Sequence, residues 1–140
     1  MKNSTILILF GLIISACATK NDPTIETIID EYYQVYSKRQ DINSFLGFYD
    51  ENILLEDIIN GDRIEGKNNL KKFVDWNNPD FKVLDSNSLI INEKIIGKNQ
   101  AVVKGYFTKF QWGNMVFEPM HFTTILTFNE SKKIIRQVDW

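Results

Sequence analysis

From Ile25 onward the apolar residues Ile25, Ile28, Ile29, Tyr32, Tyr33 and Tyr36 recur at spacings of three and four, the mark of a helix with one buried stripe. Asp22-Pro23 supplies an N-cap acceptor and a proline at the first helical position, and Lys38-Arg39 suits the negative end of the helix dipole. Asp41 caps a second, short helix with Ile42, Phe45, Phe48 and Tyr49 along one side, and Asp50-Glu51-Asn52 ends it. The run Ile53 to Ile59 is rich in isoleucine and too short for a helix, which predicts a strand. Asn60-Gly61-Asp62 is a turn, and Gly66 precedes a third helix whose Leu70, Phe73, Val74 and Trp76 face inward until Asn77-Asn78-Pro79-Asp80 stops it.

Beyond Phe81 the texture becomes that of strands: Phe81 to Ile96, Ala101 to Trp112, Met115 to Phe128 and Lys133 to Trp140. Gly97-Lys98-Asn99, Gly113-Asn114 and Asn129-Glu130-Ser131 separate them as hairpin turns. Long strands joined by tight turns make an antiparallel meander, and the helices at its N-terminal side must cover one face. The expected fold class is therefore α+β, with no internal repeat and one domain over residues 23–140.

The first residues follow a different logic. Lys2, the apolar stretch Ile6 to Ile14 and the small pair Ser15-Ala16 read as a secretory signal over residues 1–16. The apolar run is about a dozen residues, short of the roughly 20 that a membrane-spanning helix needs. Ile14-Ser15-Ala16-Cys17 resembles the bacterial lipobox, whose cysteine is acylated and becomes the first residue of the mature chain. That resemblance implies lipidation at Cys17, a polar tether through residue 22, and a place in the bacterial cell envelope outside the cytoplasm. An ordinary signal peptide with an incidental cysteine is the alternative.

Composition then removes whole classes of function. With 16 basic and 18 acidic side chains the net charge is -2, so no basic surplus exists to neutralise phosphates and nucleic acid is not an expected partner. One cysteine permits no internal disulfide, and one histidine cannot build a multi-histidine metal site, so no metal or cofactor is expected. A Gly-x-Ser-x-Gly elbow, a phosphate-binding glycine loop and a His-Glu-x-x-His helix are all missing from the 140 residues.

The order of motifs is informative where composition is not. Phe48-Tyr49-Asp50-Glu51-Asn52-Ile53 running into Glu56-Asp57, then Ile64-Glu65-Gly66-Lys67 with Leu70 and Phe73, then Lys133-Ile134-Ile135-Arg136 closing on Asp139-Trp140, resembles the nuclear transport factor 2-like superfamily, in particular its SnoaL-like branch. The sequence departs from that pattern at Glu130-Ser131-Lys132, where relatives carry an Asp-Gly turn, and at Trp140, beyond which relatives continue to a further acidic residue. The resemblance implies a cone-shaped barrel of curved antiparallel sheet with two to three helices on its concave face. It further implies a pocket open at one end and, often, a homodimer through the outer sheet face. Isomerases, cyclases, dehydratases and non-catalytic binders share this architecture, so it does not select an activity.

Chemistry in such a cone needs a carboxylate or imidazole desolvated in an apolar pocket. Asp57 matches an acidic position that relatives turn toward the pocket, and alternation puts it on one face with Ile53, Leu55 and Ile59. The alternative sends Glu56 inward with Leu54 and Ile58 while Asp57 makes a turn or meets water. His121 alternates with Thr123, Ile125 and Thr127, opposite the more apolar face of Met120, Phe122, Leu126 and Phe128, and so points outward unless both faces are covered. In that second case Asp139 on the last strand orients the imidazole as an acid–base pair. Tyr32, Tyr33 and Tyr36 offer hydroxyls at a pocket rim or fill core, and Phe73, Trp76, Phe107, Trp112 and Phe122 supply aromatic walls.

Three functions fit: binding of a small hydrophobic molecule, proton transfer with Asp57 as base, and a non-catalytic interaction module. An aromatic pocket with few polar groups favours an apolar or ring-shaped small molecule.

Overall fold

A computed structural model describes residues 23–140, so the signal segment, Cys17 and the tether through residue 22 lie outside the described residues. Helix α1 (Ile25–Lys38) buries the expected stripe of Ile28, Ile29, Tyr32 and Tyr33. Its cap is Thr24, whose hydroxyl accepts from the Thr27 amide at 3.1 Å, and Pro23 stands outside the helix instead of opening it. An extended Thr24 backbone brings the side-chain oxygen over the first free amides, which is all an N-cap requires. Arg39 closes α1 in the left-handed region at φ 49°, its N–H returning to the Val35 carbonyl.

Helix α2 (Ile42–Leu46) is capped by Asp41 and is shorter than its sequence predicts. Phe48 and Tyr49 do not continue it, because strand β1 (Tyr49–Asp57) begins at once. The polar Asp50-Glu51-Asn52 triplet, read as a break, is carried inside β1 at an irregularity between Tyr49 and Leu54 in its pairing with the last strand. Long-range pairing here overrides the local signal. Strand β1 ends two residues before Ile59, in the Asn60-Gly61 turn to β2 (Asp62–Glu65). Gly66, at φ 82°, opens α3 (Lys67–Val74), which buries Leu70 completely and leaves Phe73 43% exposed rather than inward.

The three longest predicted strands each divide. Phe81–Val83 (β3), Phe110–Trp112 (β6) and Met115–Phe117 (β7) leave the main sheet and form a small one of their own, in the order β3-β6-β7. The breaks fall at Asp85-Ser86-Asn87-Ser88, Thr108-Lys109 and Glu118-Pro119, where turn-forming polar residues and a proline without an N–H interrupt a ladder. What remains, Leu89–Ile96 (β4), Gln100–Phe107 (β5), Met120–Phe128 (β8) and Ile134–Asp139 (β9), joins β1 and β2 in the order β2-β1-β9-β8-β5-β4.

All neighbours in this curved six-stranded sheet are antiparallel except β1 and β9, which run parallel. The sheet does not close on itself, leaving β2 and β4 as edges. Helices α1 and α2 with α3 cover its concave face over a core of Ile29, Tyr32, Phe45, Tyr49, Leu126 and Ile134. At Gly105 the strands come so close that a Cβ would sit 2.2 Å from the Ile90 carbonyl oxygen, so only glycine fits beneath Phe122. The result is the cone-like α+β architecture expected, with the mouth at the ends of β1 and β9 and the start of β8.

Candidate functional site

That mouth leads to a cavity of about 270 Å³. Tyr32, Tyr33 and Tyr36 reach it from α1, Phe73 from α3, and Asp57, Ile59 and Asn60 from the end of β1. Phe107, Met120, His121, Phe122 and Thr124 come from β5 and β8, and Gln137, Asp139 and Trp140 from the last strand and the residue after it. Among the described residues no cluster of His, Cys, Asp and Glu has the geometry to hold a metal ion.

A chain of hydrogen bonds runs along the inner wall. The Tyr32 and Tyr49 hydroxyls lie 2.7 Å apart, Tyr49 donates to Gln137 Oε1 at 2.7 Å, and Gln137 Nε2 donates to Asp139 Oδ2 at 2.8 Å. Thr124 Oγ1 donates to Asp139 Oδ1 at 2.6 Å from the neighbouring strand, where the two residues are register partners. Strand alternation puts Gln137 and Asp139 on one face, and pairing adds Thr124 to it. Burial holds the Asp139 carboxyl above the usual carboxylate range; the Thr124 and Gln137 bonds act in the opposite direction, and the Asp57 charge adds to the rise.

The tyrosines remain neutral phenols. Burial raises Tyr32 and Tyr49 well above the ordinary value near 10. Tyr36 is pushed up to about 12 by burial and by the Asp139 charge, with Arg39 pulling the other way. Tyr33 rises further through burial, partly offset by Thr124. Its hydroxyl is fully buried near Thr124, whose own bond goes to Asp139, and makes no well-formed hydrogen bond, while the residue lines the same cavity. An unsatisfied buried hydroxyl costs about 1–3 kcal/mol, which a ligand acceptor would recover.

Each residue singled out in the sequence has a definite place. Asp57 faces the mouth and also ties the turn: Oδ1 accepts from the Ile59 and Asn60 amides at 3.0 Å and Oδ2 from Asn60 Nδ2 at 2.7 Å. His121 is exposed at the rim, its ring 6.1 Å from that of Tyr106 on the outer face. This is the outward position that the alternation of its strand implies, and the conditional His121–Asp139 pair does not form, because Asp139 lies opposite Thr124 and bonds to Thr124 and Gln137. Tyr32, Tyr36, Phe73, Phe107 and Phe122 line the cavity. Trp76 instead packs into the core against Phe45 and Tyr36, and Trp112 sits on the small sheet, half-exposed, beside a second cleft.

Sequence reading singled out neither Gln137 nor Thr124. The signal was present, since Gln137 alternates with Asp139 and Thr124 interrupts the apolar face of Phe122, Leu126 and Phe128. The rim is apolar: Ile59 is 75% exposed, Met120 48% and Trp140 43%.

No family model matches the sequence. No curated protein matches it either. Similarity is found among solved structures. A Mesorhizobium loti protein provisionally named a SnoaL-like polyketide cyclase superposes with a TM-score of 0.67 at 15% identity, over 84% of this chain and 99% of that one. A Catenulispora acidiphila protein with a ketosteroid isomerase-like fold, in complex with trimethylamine, gives 0.66 at 10% identity over 81% and 83%. TerC, co-crystallised with polyporic acid, gives 0.65 at 16% identity over 83% and 89%. With the curved open sheet, the covering helices and these superpositions together, the chain has the cone-shaped fold of nuclear transport factor 2-like and SnoaL-like proteins.

Proposed function

We propose that this chain is a lipid-anchored protein of the bacterial cell envelope whose cone cavity binds a small, apolar, ring-bearing molecule. The carrying observation is the cavity itself, with an apolar exposed rim, aromatic walls and one buried hydroxyl, that of Tyr33, left without a partner. Such a cavity rewards a molecule that covers apolar surface and offers a single acceptor. Two structural relatives bear small molecules in their crystals, polyporic acid in TerC and trimethylamine in the Catenulispora protein. The anchor rests on the Ile14-Ser15-Ala16-Cys17 motif. Pairing of two copies through the outer sheet face belongs to the same proposal.

The test is a titration of the full-length protein in mild detergent with N-phenyl-1-naphthylamine, a neutral ring-bearing probe whose fluorescence rises in apolar surroundings. Saturable binding is expected, weakened in Tyr33→Ala. Absence of saturable binding rejects a cavity for this class of molecule. For the anchor, Cys17→Ser is expected to move the protein from the membrane to the aqueous fraction.

One observation favours a second reading, proton transfer. A carboxyl raised by burial, as Asp139 is, sits closer to working pH than an exposed one and can take a proton from a bound carbon or oxygen acid. In that reading Asp139 is the base and Tyr33 the donor to the developing charge, while the Asp57 oxygens are held by the turn. Asp139→Asn would then abolish turnover of a substrate that the variant still binds.

A further inference from the structure

Arg39 is the one arginine among the described residues without an acidic partner. Arg63 and Arg136 both pair with Glu56, at 3.0 Å and 2.7 Å, whereas Arg39 makes no ion pair there. Its guanidinium carbon instead lies 4.2 Å from the Phe81 ring centroid and 5.5 Å from that of Trp76. Rings of this kind engage the face of a guanidinium, so the N–H donors around its edge remain open to an acceptor in the plane. Burial lowers its pKa somewhat, and the field of Asp75, an exposed residue outside ion-pair distance, raises it; an arginine keeps its charge under such shifts.

The cleft that Arg39 lines is about 200 Å³ and has Phe73, Phe81, Trp112 and Tyr36 as walls, with Asp75 and Asn78 as its other polar residues. Tyr36 and Phe73 also line the main cavity, so these two rings border both spaces. Beside the effect of burial, the field of Asp139 raises the Tyr36 hydroxyl and that of Arg39 lowers it. A cation therefore lines the cleft and a buried carboxyl the main cavity, with the Tyr36 and Phe73 rings common to both. An acidic ligand is repelled by the carboxyl end and held at the guanidinium end, which fixes its direction.

We propose that the cone takes an apolar, ring-bearing acid, its carboxylate or sulfonate paired with the edge of the Arg39 guanidinium and its neutral body between Tyr36 and Phe73. The inference rests on the reading of the cone as a small-molecule cavity and names the class of molecule it selects. Charge-assisted bidentate contact would account for the selection, because a neutral analogue leaves the guanidinium edge unfilled.

Two probes with one skeleton test it on the full-length protein in mild detergent: 8-anilinonaphthalene-1-sulfonate, an acid, and N-phenyl-1-naphthylamine, its neutral counterpart. Arg39→Gln is expected to weaken the acid by about ten- to hundredfold and the neutral probe by less than about threefold. Arg39→Lys, which retains charge, is expected to fall between wild type and Arg39→Gln for the acid. A measurement on the wild type needs no variant: 2-naphthoate should displace the acidic probe at about a tenth of the concentration required of 2-naphthamide, or less. Equal displacement by the two, or equal loss of both probes in a folded Arg39→Gln, overturns the acid site and leaves the cavity reading standing. Failure of the acidic probe alone to bind wild type overturns the acid site, and failure of both probes overturns the cavity reading with it.

Discussion

On the inner wall of the cavity, Tyr32, Tyr49, Gln137, Thr124 and Asp139 are tied into one hydrogen-bonded chain beneath aromatic rings, and the Tyr33 hydroxyl is buried there outside that chain. At the rim the arrangement is reversed. Ile59, Phe73, Met120 and Trp140 expose apolar surface to solvent, while the polar groups beside them, Asp57 and Asn60, bond to one another in a turn. The same two strands supply both regions, since Asp57 and Asp139 are register partners on β1 and β9. One of these aspartates holds a loop and the other is desolvated. Residue type is therefore a poor guide to role here; depth in the cone decides it, because desolvation acts on Asp139, whereas Asp57 is half-buried and bonded into a turn.

Substitutions that separate wall from rim should differ widely. Phe122→Ala removes a ring that packs on Tyr33 and Phe107 and is expected to cost roughly 3–5 kcal/mol by urea unfolding. A loss under about 1 kcal/mol would mean that the wall collapses as easily as the rim. Gln137→Leu strips the shared acceptor from Tyr49 and a donor from Asp139, and about 2 kcal/mol is expected.

The next effect is read from pH. The folded Asp139 carboxyl titrates above its unfolded value near 3.8, so the native state keeps this proton longer than the unfolded chain does. Stability should fall as pH rises from about 3.8 through the folded value and level off above it, and Asp139→Asn should remove that slope. Asp41, whose carboxyl is lowered by its bonds to Ser44 and Asn43, acts in the opposite sense below 3.8 and is common to both proteins. The difference between the two unfolding-midpoint curves therefore isolates Asp139. A flat difference would mean that burial does not act on Asp139.

Smallest of all, Ile59→Ala at the rim should change stability by no more than about 0.5 kcal/mol. It should nevertheless weaken N-phenyl-1-naphthylamine about two- to fivefold, measured by fluorescence titration, through lost apolar contact at the mouth. A stability loss as large as that of Phe122→Ala would erase the distinction between the regions.

The sequence by itself determined the elements whose signals are local. The stripe of Ile28, Ile29, Tyr32 and Tyr33 is a helical period, and Gly97-Lys98-Asn99 and Gly113-Asn114 are turns by their own dihedral preferences, so those features stand where the pattern put them. The α+β class followed from the order of such elements, and the cone from the resemblance that their motifs carry to the nuclear transport factor 2-like superfamily. Tertiary structure alone decided three other things. The polar Asp50-Glu51-Asn52 triplet was carried into a strand because β1 pairs with β9 on both sides of it, at Tyr49 and from Leu54 onward. Three long apolar runs split because a second sheet takes their ends. Finally, Asp139 was separated from His121 and bound to Thr124 and Gln137, because register sets which side chains share a face and a strand's own alternation carries no information about the register of its neighbour.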